Sequence, residues 1–431
     1  MKKQIHKLHN QHAPHRPHEE RVVVTSMSIV SPIAIGIDDF FQALKDGKCG
    51  LSKITNYDIN TFPIKVAGEI KNEILNQKLD QYNIDRKCFN DRKLALITLA
   101  LHELLQLNSN RHQNSTDEQM TDLLIGCGIS ELLFDDTKKI VTKENSIETL
   151  LGKSPYIMRT LEDYPAYSLA KLIKNCGLHI SNVAACVAST QAIGICYQRI
   201  KHGLSSQAIV GGVDSILNPF GMLGFTRLSA LSPTEECKPF DLKRNGTLLG
   251  EGAALLFLES LSSAIRNGRK VLAEIISYTS TNDAYNMTHP DPSAEAAARA
   301  ISLTLKKANL KAEDVQYINA HGTGTPLNDV TETKAIKDVF ADHAYKLKIS
   351  STKSMIGHFI AAAGAAEVVA TILTLINDIV FPTINLTTKD PLCDLDYVAN
   401  QFQAHKVNVA LANSFGFGGF NSILALRKFE E

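Results

Sequence analysis

The chain has 431 residues, 44% of them hydrophobic and 21% charged, which is typical of a globular protein with two domain-sized units or one large duplicated unit. Its 45 basic and 45 acidic side chains balance, which argues against bulk attraction to nucleic acid or to an anionic membrane. The eight cysteines show no metal-ligand spacing, so we expect no metal site and reduced thiols. No apolar run reaches bilayer length, so we expect a cytoplasmic protein.

Residues 1–20 form a histidine-rich segment that differs in composition from the rest of the chain. Five histidines recur at every third residue from His6 to His18. A polyproline II helix has three residues per turn and would align them on one face. The pattern fits a weak metal-binding tail or a disordered extension, and we expect the extension.

Apolar runs and amphipathic segments alternate along the remaining sequence. They predict strands at 21–26, 123–126, 179–184, 208–211, 272–277, 315–319 and 347–350. They predict helices at 38–45, 92–107, 293–308 and 359–375. This alternation indicates an α/β fold with buried parallel strands. A charged stretch near residue 270 divides the chain into an N-terminal half, 21–270, and a C-terminal half, 271–431.

Cys186 is the first candidate for chemistry. It follows a predicted strand that ends in small residues, and a helix is predicted to begin directly after it. The aligned peptide dipoles of a helix N-terminus favour the thiolate, which is the nucleophilic form. A free cysteine is more commonly a buried structural residue, so this segment alone leaves both interpretations open.

Three further segments carry candidate residues. His321 lies in NAHGTGTPLND, at the carboxyl end of a predicted strand, where open α/β sheets bind ligands. His358 lies in STKSMIGHFIAAAGAAE, between Lys353 and Glu367. Residues 413–422, NSFGFGGFNS, alternate Gly and Phe and permit close approach of backbone to a ligand. Taken alone, each segment also has an ordinary structural interpretation. His321 fits a structural histidine, Lys353 a solvated surface lysine, His358 an ordinary residue at a helix start, and residues 413–422 a glycine-rich turn.

Together, and in this order, the segments resemble the β-ketoacyl-acyl carrier protein synthases of the elongating, two-histidine type, within the thiolase-like superfamily. The resemblance covers about residues 20–430 and rests on the cysteine segment followed by HGTGTP and STKSMIGH. It implies a five-layered αβαβα fold built from two duplicated halves. It also implies a condensation reaction that needs no cofactor.

The resemblance assigns a role to each candidate residue. Cys186 would carry the acyl chain as a thioester, and His321 and His358 would bind the malonyl thioester and stabilise the enolate formed by decarboxylation. Lys353 would pair with Glu367 and set the electrostatics around His358. The other implied residues are the oxyanion-hole N–H groups of Cys186 and Phe417, Phe417 as acyl gate, and Thr323 and Thr325 as pantetheine contacts.

Several segments depart from the family pattern. Phe420, a substrate-binding candidate, stands where fatty acid elongation enzymes usually have Thr or His, and GFGGF resembles polyketide ketosynthases more closely. Residues 126–136 and 162–176 are also unusual, and acids in 232–237 replace the basic character expected for carrier docking. These departures favour specialised polyketide or polyene assembly over fatty acid elongation.

The implied partners are acyl- and malonyl-loaded acyl carrier protein, and a second subunit. That subunit would form either a homodimer or a heterodimer of ketosynthase and chain-length factor. We expect no nucleic acid or membrane partner. The alternative function is a non-condensing, chain-length-factor-like subunit, which Cys186 argues against because such subunits typically lack this cysteine.

Overall fold

The computed structural model describes residues 19–84, 91–109, 119–128 and 162–430. The histidine-rich tail, apart from residues 19 and 20, lies outside the described residues. Residues 129–136 of the unusual segment 126–136 lie outside them as well.

The secondary structure of the described ranges follows the predicted alternation. The strands are β1 (Val22–Val30), β2 (Ser52–Lys53), β3 (Val66–Ala67), β4 (Thr121–Cys127), β5 (Cys176–Asn182), β6 (Gln207–Asp214), β7 (Gly252–Ser260), β8 (Ala273–Asn282), β9 (Tyr317–Asn319), β10 (Lys348–Ser350), β11 (Ile379–Val380), β12 (Gln403–Ala404), β13 (Val409–Gly416) and β14 (Phe420–Lys428). The helices are α1 (Ile37–Lys45), α2 (Asn72–Gln81), α3 (Arg92–Ser109), α4 (Tyr164–Ala170), α5 (Ala188–Lys201), α6 (Pro219–Arg227), α7 (Leu261–Arg266), α8 (Glu295–Lys307), α9 (Pro326–Phe340), α10 (Lys353–Ile356) and α11 (Ala363–Asn377).

In the described part of the chain, ten strands form one sheet in the order β10-β9-β13-β14-β8-β1-β7-β6-β4-β5. The same arrangement occurs twice. In the first half, the parallel strands β5, β4 and β6 are followed by antiparallel β7 and β1. In the second half, β10, β9 and β13 are parallel and are followed by antiparallel β14 and β8. This repetition supports a duplication, and the exact boundary at residue 270 stays a prediction.

In the described residues, the three largest apolar clusters pack between the helix and sheet layers. The central core contains α5 and α11, and the two outer cores contain α2 with α3 and α8 with α9. Successive residues of one strand point to opposite faces. In β7, Leu256 therefore faces the central core and Leu255 an outer one, and in β13 Ala412 and Leu411 divide in the same way. The predicted αβαβα architecture is confirmed.

The strand predicted at 179–184 is less buried than expected. It forms β5, which pairs with β4 and ends the sheet order. Its apolar side chains are partly exposed, with Leu178 and Ile180 at 39% and the following Val183 at 54%. The prediction failed because an apolar run in the sequence looks the same in an interior strand and in an edge strand with an exposed face.

The helix predicted at 359–375 consists of a short 3₁₀ turn, Ile360–Ala362, followed by α11. Among the described residues, this is the one helical segment that is long and apolar enough to cross a membrane. However, 89% of it is buried inside the protein, where it packs in the central core.

Candidate active site

Cys186 lies at the junction between β5 and α5. It is the middle residue of a 3₁₀ turn, Ala185–Val187, that leads directly into the helix. Ala185 has a φ of 45°, a left-handed conformation that costs about 1–2 kcal/mol for a residue with a Cβ. The side chain of Cys186 is only 6% exposed. The strained turn thus holds the thiol at the inner end of a pocket.

Burial, rather than the helix terminus, dominates the ionisation of Cys186. It raises the pKa of the thiol to about 12, although the Lys353 charge and the Phe417 N–H both act to lower it. A thiolate in a low-dielectric site loses hydration that one helix terminus does not replace. The resting site therefore holds a neutral thiol, in contrast to the thiolate that the sequence predicts.

His358 contacts the nucleophile directly. Its Nε2 lies 3.1 Å from the Sγ of Cys186, and its Nδ1 accepts the N–H of Ile360 at 3.1 Å. Burial, and secondarily the charge of Lys353, lower the pKa of His358 well below its usual value. The imidazole is therefore neutral, and because Nδ1 accepts a hydrogen bond, the proton resides on Nε2.

His321 is held in the same tautomer by a different group. The ammonium of Lys353 donates to Nδ1 of His321 at 3.1 Å and to its carbonyl oxygen at 2.6 Å. Burial, Lys353 and His358 lower the pKa of His321 well below its usual value. The two imidazoles meet edge to face, with ring centroids 5.3 Å apart. Both histidines thus carry an Nε2–H donor, and both line the pocket that contains the thiol.

Lys353 forms a buried ion pair with Glu367, as the sequence suggests. Lys353 is 1% and Glu367 2% exposed, and the ammonium donates to Oε1 of Glu367. Burial raises the pKa of Glu367 to about 7, and Lys353 opposes this rise. Lys353 acts on His358 through its charge, as expected, and in addition hydrogen-bonds to His321, which the sequence does not predict.

The pocket that ends at Cys186 has a volume of about 300 Å³. Both catalytic candidates His321 and His358 line it, as do Thr323 and Thr325. The two threonine hydroxyls hydrogen-bond to each other at 2.8 Å. Together these residues form a partly polar wall of the pocket that contains the thiol.

Aromatic residues form one wall of this pocket. The ring of Phe417 stacks on Phe225 with centroids 6.1 Å apart, and the Phe417 N–H is directed at the Cys186 sulfur. Phe420 also lines the pocket and packs against the residues on either side of the nucleophile, including Val187. The structure therefore brings Phe417 and Phe420 to the site with the other candidates.

Glu332 was missed in the sequence. Its carboxylate accepts the N–H groups of His321 at 2.9 Å and Gly322 at 2.8 Å, and burial raises its pKa to about 7. Asp329, one turn earlier on α9, accepts the N–H groups of Phe240 and Gly324. The i, i+3 spacing of these two acids, directly after the histidine segment, is the signal that would have identified them.

The described residues contain no group of three or more His, Cys, Asp and Glu side chains that could hold a metal ion. The polar atoms at the inner end of the pocket are instead imidazole and backbone N–H groups. Such neutral donors suit a developing oxyanion, and a nearby thiol suits acyl transfer.

Comparison with known families places Cys186, His321 and His358, but not Phe417 and Phe420, within two matching regions. The family described as Beta-ketoacyl synthase, N-terminal domain matches residues 19–264. The family described as Beta-ketoacyl synthase, C-terminal domain matches residues 272–387.

Among curated proteins, a 3-oxoacyl-[acyl-carrier-protein] synthase 2 of Synechocystis sp. is 38% identical over 96% of this chain and 99% of its own length. The protein of the same name from Coxiella burnetii is 35% identical over 95% of this chain and 99% of its own length. Among solved structures, the AntDE:AntF complex of a type II polyketide synthase carrier protein with its ketosynthase matches with a TM-score of 0.86 and 30% identity, covering 96% of this chain and all of that one. The ishigamide ketosynthase/chain length factor matches with a TM-score of 0.84 and 29% identity, over 96% of this chain and 100% of that chain.

Proposed function

The chain belongs to the β-ketoacyl synthase family, and on this basis we propose that it is a β-ketoacyl-acyl carrier protein synthase whose Cys186 carries the growing acyl chain. The observation that carries this proposal is the convergence of three groups. The Sγ of Cys186 lies 3.1 Å from Nε2 of His358, and the ring of His321 lies edge-on to that of His358.

The first half-reaction loads the acyl chain. The sulfur of Cys186 attacks the carbonyl of an acyl thioester on the carrier protein. A C–S bond to Cys186 forms, the C–S bond to the carrier breaks, and the thiol proton of Cys186 passes to the departing carrier thiol. The backbone N–H groups of Cys186 and Phe417 stabilise the tetrahedral oxyanion. The threonines Thr323 and Thr325 contact the pantetheine arm in the channel.

The second half-reaction extends the chain. Malonyl thioester loses CO2, and the electron pair of the broken C–C bond forms an enolate whose oxygen accepts the Nε2–H groups of His321 and His358. The enolate carbon attacks the acyl carbonyl on Cys186, so that a new C–C bond forms and the C–S bond breaks. The sulfur then takes up a proton, as its high pKa requires. The product is β-ketoacyl carrier protein.

Neutral histidines suit this chemistry better than charged ones. A preorganised N–H donor stabilises the enolate oxygen without binding the malonyl carboxylate as an ion pair, which would hold back decarboxylation. The burial of both rings keeps them neutral and excludes water from the thioester and the enolate.

The experiment that tests the proposal supplies the purified protein with acyl- and malonyl-loaded carrier protein. We expect one acyl group on Cys186 by intact mass, release of CO2, and a carrier product longer by two carbons. Acyl loading without CO2 release or extension would instead support the non-condensing partner subunit. The presence of Cys186 within a complete histidine set favours the condensing enzyme.

For the pathway we propose chain elongation on carrier protein, with specialised polyketide or polyene assembly as the second candidate. The curated relatives are named 3-oxoacyl synthases, whereas Phe420 beside the nucleophile favours the second candidate. A panel of saturated and unsaturated acyl primers, read by mass spectrometry of the products, separates the two. Preference for saturated primers would establish fatty acid elongation.

We also propose that the protein acts in the cytoplasm as a dimer. The partner is a second copy or a chain-length factor. The edge strand β5, with its exposed apolar side chains Leu178 and Ile180, supplies the contact surface.

A further inference from the structure

The internal repetition of the fold gives the oxyanion-hole positions of the active site counterparts in the other half. Strand β6 ends at Asp214, which pairs with Gly252, the first residue of β7. Strand β13 ends at Gly416, which pairs with Phe420, the first residue of β14. Because β6 and β13 occupy the same place in the two strand orders, Asp214 and Gly416 are equivalent positions.

The turn that presents the nucleophile is also repeated. Cys186 and Ala361 are each the middle residue of a three-residue 3₁₀ turn that leads into a central helix, α5 or α11. Each turn begins with a left-handed residue, Ala185 with a φ of 45° and Ile360 with a φ of 47°. Ala361 is therefore the counterpart of the nucleophile.

In the catalytic copy, the N–H groups of Cys186 and Phe417 border the pocket, and Gly416 places no side chain between them. In the second copy, the same two positions are occupied by Ala361 and Ser215. Here both N–H groups are already bound. Ala361 N–H donates to Oδ2 of Asp214 at 3.1 Å, and Ser215 N–H donates to its Oδ1 at 2.9 Å.

We propose that Asp214 is a positioning residue whose carboxylate fills the second, non-catalytic copy of the oxyanion hole and thereby fixes the turn that orients His358. This inference rests on the proposed function, because it assigns His358 to the condensation. The carboxylate stands where a substrate oxyanion would stand in the catalytic copy.

The connection to His358 runs through two consecutive backbone groups. Ile360 N–H donates to Nδ1 of His358, and the next N–H, that of Ala361, donates to Asp214. Ile360 is β-branched, and its left-handed φ is costly unless the surroundings hold it. Without the carboxylate the turn loses its anchor, and the Ile360 N–H is no longer held against Nδ1.

The surroundings of Asp214 fit a fixed anchor. The side chain of Asp214 is fully buried. A Cβ added at Gly128 would lie 2.2 Å from Oδ2 of Asp214, so no residue larger than glycine fits at position 128. Burial raises the pKa of Asp214 to about 6, and the charge of the buried Lys93 opposes this rise. The protein thus keeps a charged anchor at a site where ionisation is unfavourable.

The test is Asp214→Asn, which preserves size but offers one acceptor and turns an amide donor towards the second N–H group. We expect CO2 release from malonyl-carrier to fall about 10-fold to 100-fold, while acyl transfer to Cys186 changes far less. In ¹⁵N-histidine NMR spectra of wild type, the Nδ1 of His358 should be an acceptor and Nε2 protonated. The variant should show mixed tautomers.

Glu259→Gln is the matched control. Glu259 is a fully buried carboxylate at the opposite end of the same strand pair, where it accepts the hydroxyl of Thr25 at 2.7 Å. The Glu259→Gln substitution should change neither the ratio of the rates of the two half-reactions nor the ¹⁵N signals of the histidines. Asp214→Ser retains one acceptor and adds no amide donor, so it should lower CO2 release to an intermediate extent. It replaces Asp214→Asn in the test if that variant fails to fold.

The outcomes separate the two claims. If wild-type protein releases no CO2, the proposed function fails, and the ¹⁵N signals alone still test whether Asp214 fixes the tautomer of His358. If wild type condenses, and Asp214→Asn retains both its decarboxylation rate and its tautomer, the inference about Asp214 is overturned while the function stands.

Discussion

The ammonium of Lys353 lies 3.1 Å from Nδ1 of His321, and this contact decides which nitrogen of His321 faces the substrate. A charged lysine is only a donor, so Nδ1 must accept and Nε2 must carry the proton. His358 reaches the same state through the Ile360 N–H. Two unrelated contacts thus give both histidines the same tautomer, and two N–H donors can act on one enolate oxygen.

Replacing either histidine should separate the half-reactions. We expect His321→Ala or His358→Ala to lower malonyl decarboxylation by about 10²–10³-fold, because each removes one oxyanion donor. Acyl transfer to Cys186 should persist, since its oxyanion is stabilised by backbone N–H groups. The measurements are CO2 release and intact mass of the acylated protein. His405→Ala, a change outside the pocket, is the control, and loss of acylation with intact decarboxylation would reverse the assignment.

Replacing Lys353 should affect stability and chemistry separately. Lys353→Met leaves Glu367 buried without its cation, and we expect a loss of about 3–5 kcal/mol in the free energy of unfolding. The double variant Lys353→Met/Glu367→Gln should regain much of this stability in urea titrations. It should not regain decarboxylation, because Nδ1 of His321 still lacks its donor. Equal recovery of both would mean that Lys353 acts only through the fold.

The pH dependence of the lysine variant follows from the carboxyl group. Burial raises the pKa of Glu367 to about 7 from 4.5, so ionisation of this group opposes folding. Protonated Glu367 favours the folded state, and this contribution to stability is complete below pH 4.5 and is lost as the pH rises through 7. Without Lys353 the pKa rises further, so Lys353→Met should be most destabilised, relative to wild type, at alkaline pH. Urea midpoints at pH 6 and pH 8 check this.

The sequence predicts part of the order of strands and helices and the segments that carry the candidate site residues, because apolar periodicity and adjacent motif residues are local signals. It does not predict the ionisation of Cys186, since desolvation depends on distant chain segments such as the one that carries His358. It also misses Asp214, because the hydrogen bond from Ala361 N–H in the other half of the chain forms only after the two halves pack. The sequence likewise does not predict the exposed face of β5, because the place of a strand in the sheet depends on distant chain segments.

The pH profile of Cys186 alkylation tests the buried thiol. A pKa of about 12 predicts that the iodoacetamide rate rises about tenfold per pH unit from pH 7 to pH 9 without a plateau. Cys49 is exposed and would react in parallel, so the experiment uses a Cys49→Ala background. Modification at Cys186 should abolish acyl loading. An alkylation rate that does not rise between pH 7 and pH 9 would show a resting thiolate, which would mean that the helix N-terminus outweighs burial in setting the ionisation of Cys186.

Phe420→Thr should alter the choice of acyl primer. The ring packs beside the nucleophile against Val187 and Ala188, so its removal enlarges the space next to the acyl group. We expect the ratio of kcat/KM for bulky over short primers to rise about tenfold, the scale of a small change in an apolar pocket. Phe402→Thr, which alters a partly exposed ring outside the pocket, should leave the ratio unchanged. An unchanged ratio in Phe420→Thr would exclude a role in specificity.

The last prediction concerns the edge strand β5. A long exposed edge with apolar side chains invites pairing with another chain, and soluble assemblies of this kind are mostly symmetric dimers. We expect the purified protein to be a dimer in sizing chromatography with light scattering, and Ile180→Lys to shift it to monomer and lower activity. Leu204→Lys changes an even more exposed apolar residue outside this strand, and should neither shift the protein to monomer nor lower its activity. Protein that is insoluble alone but recovered by co-expression with a chain-length factor would identify the heterodimer. A stable, fully active monomer would contradict the assignment of β5 as an interface.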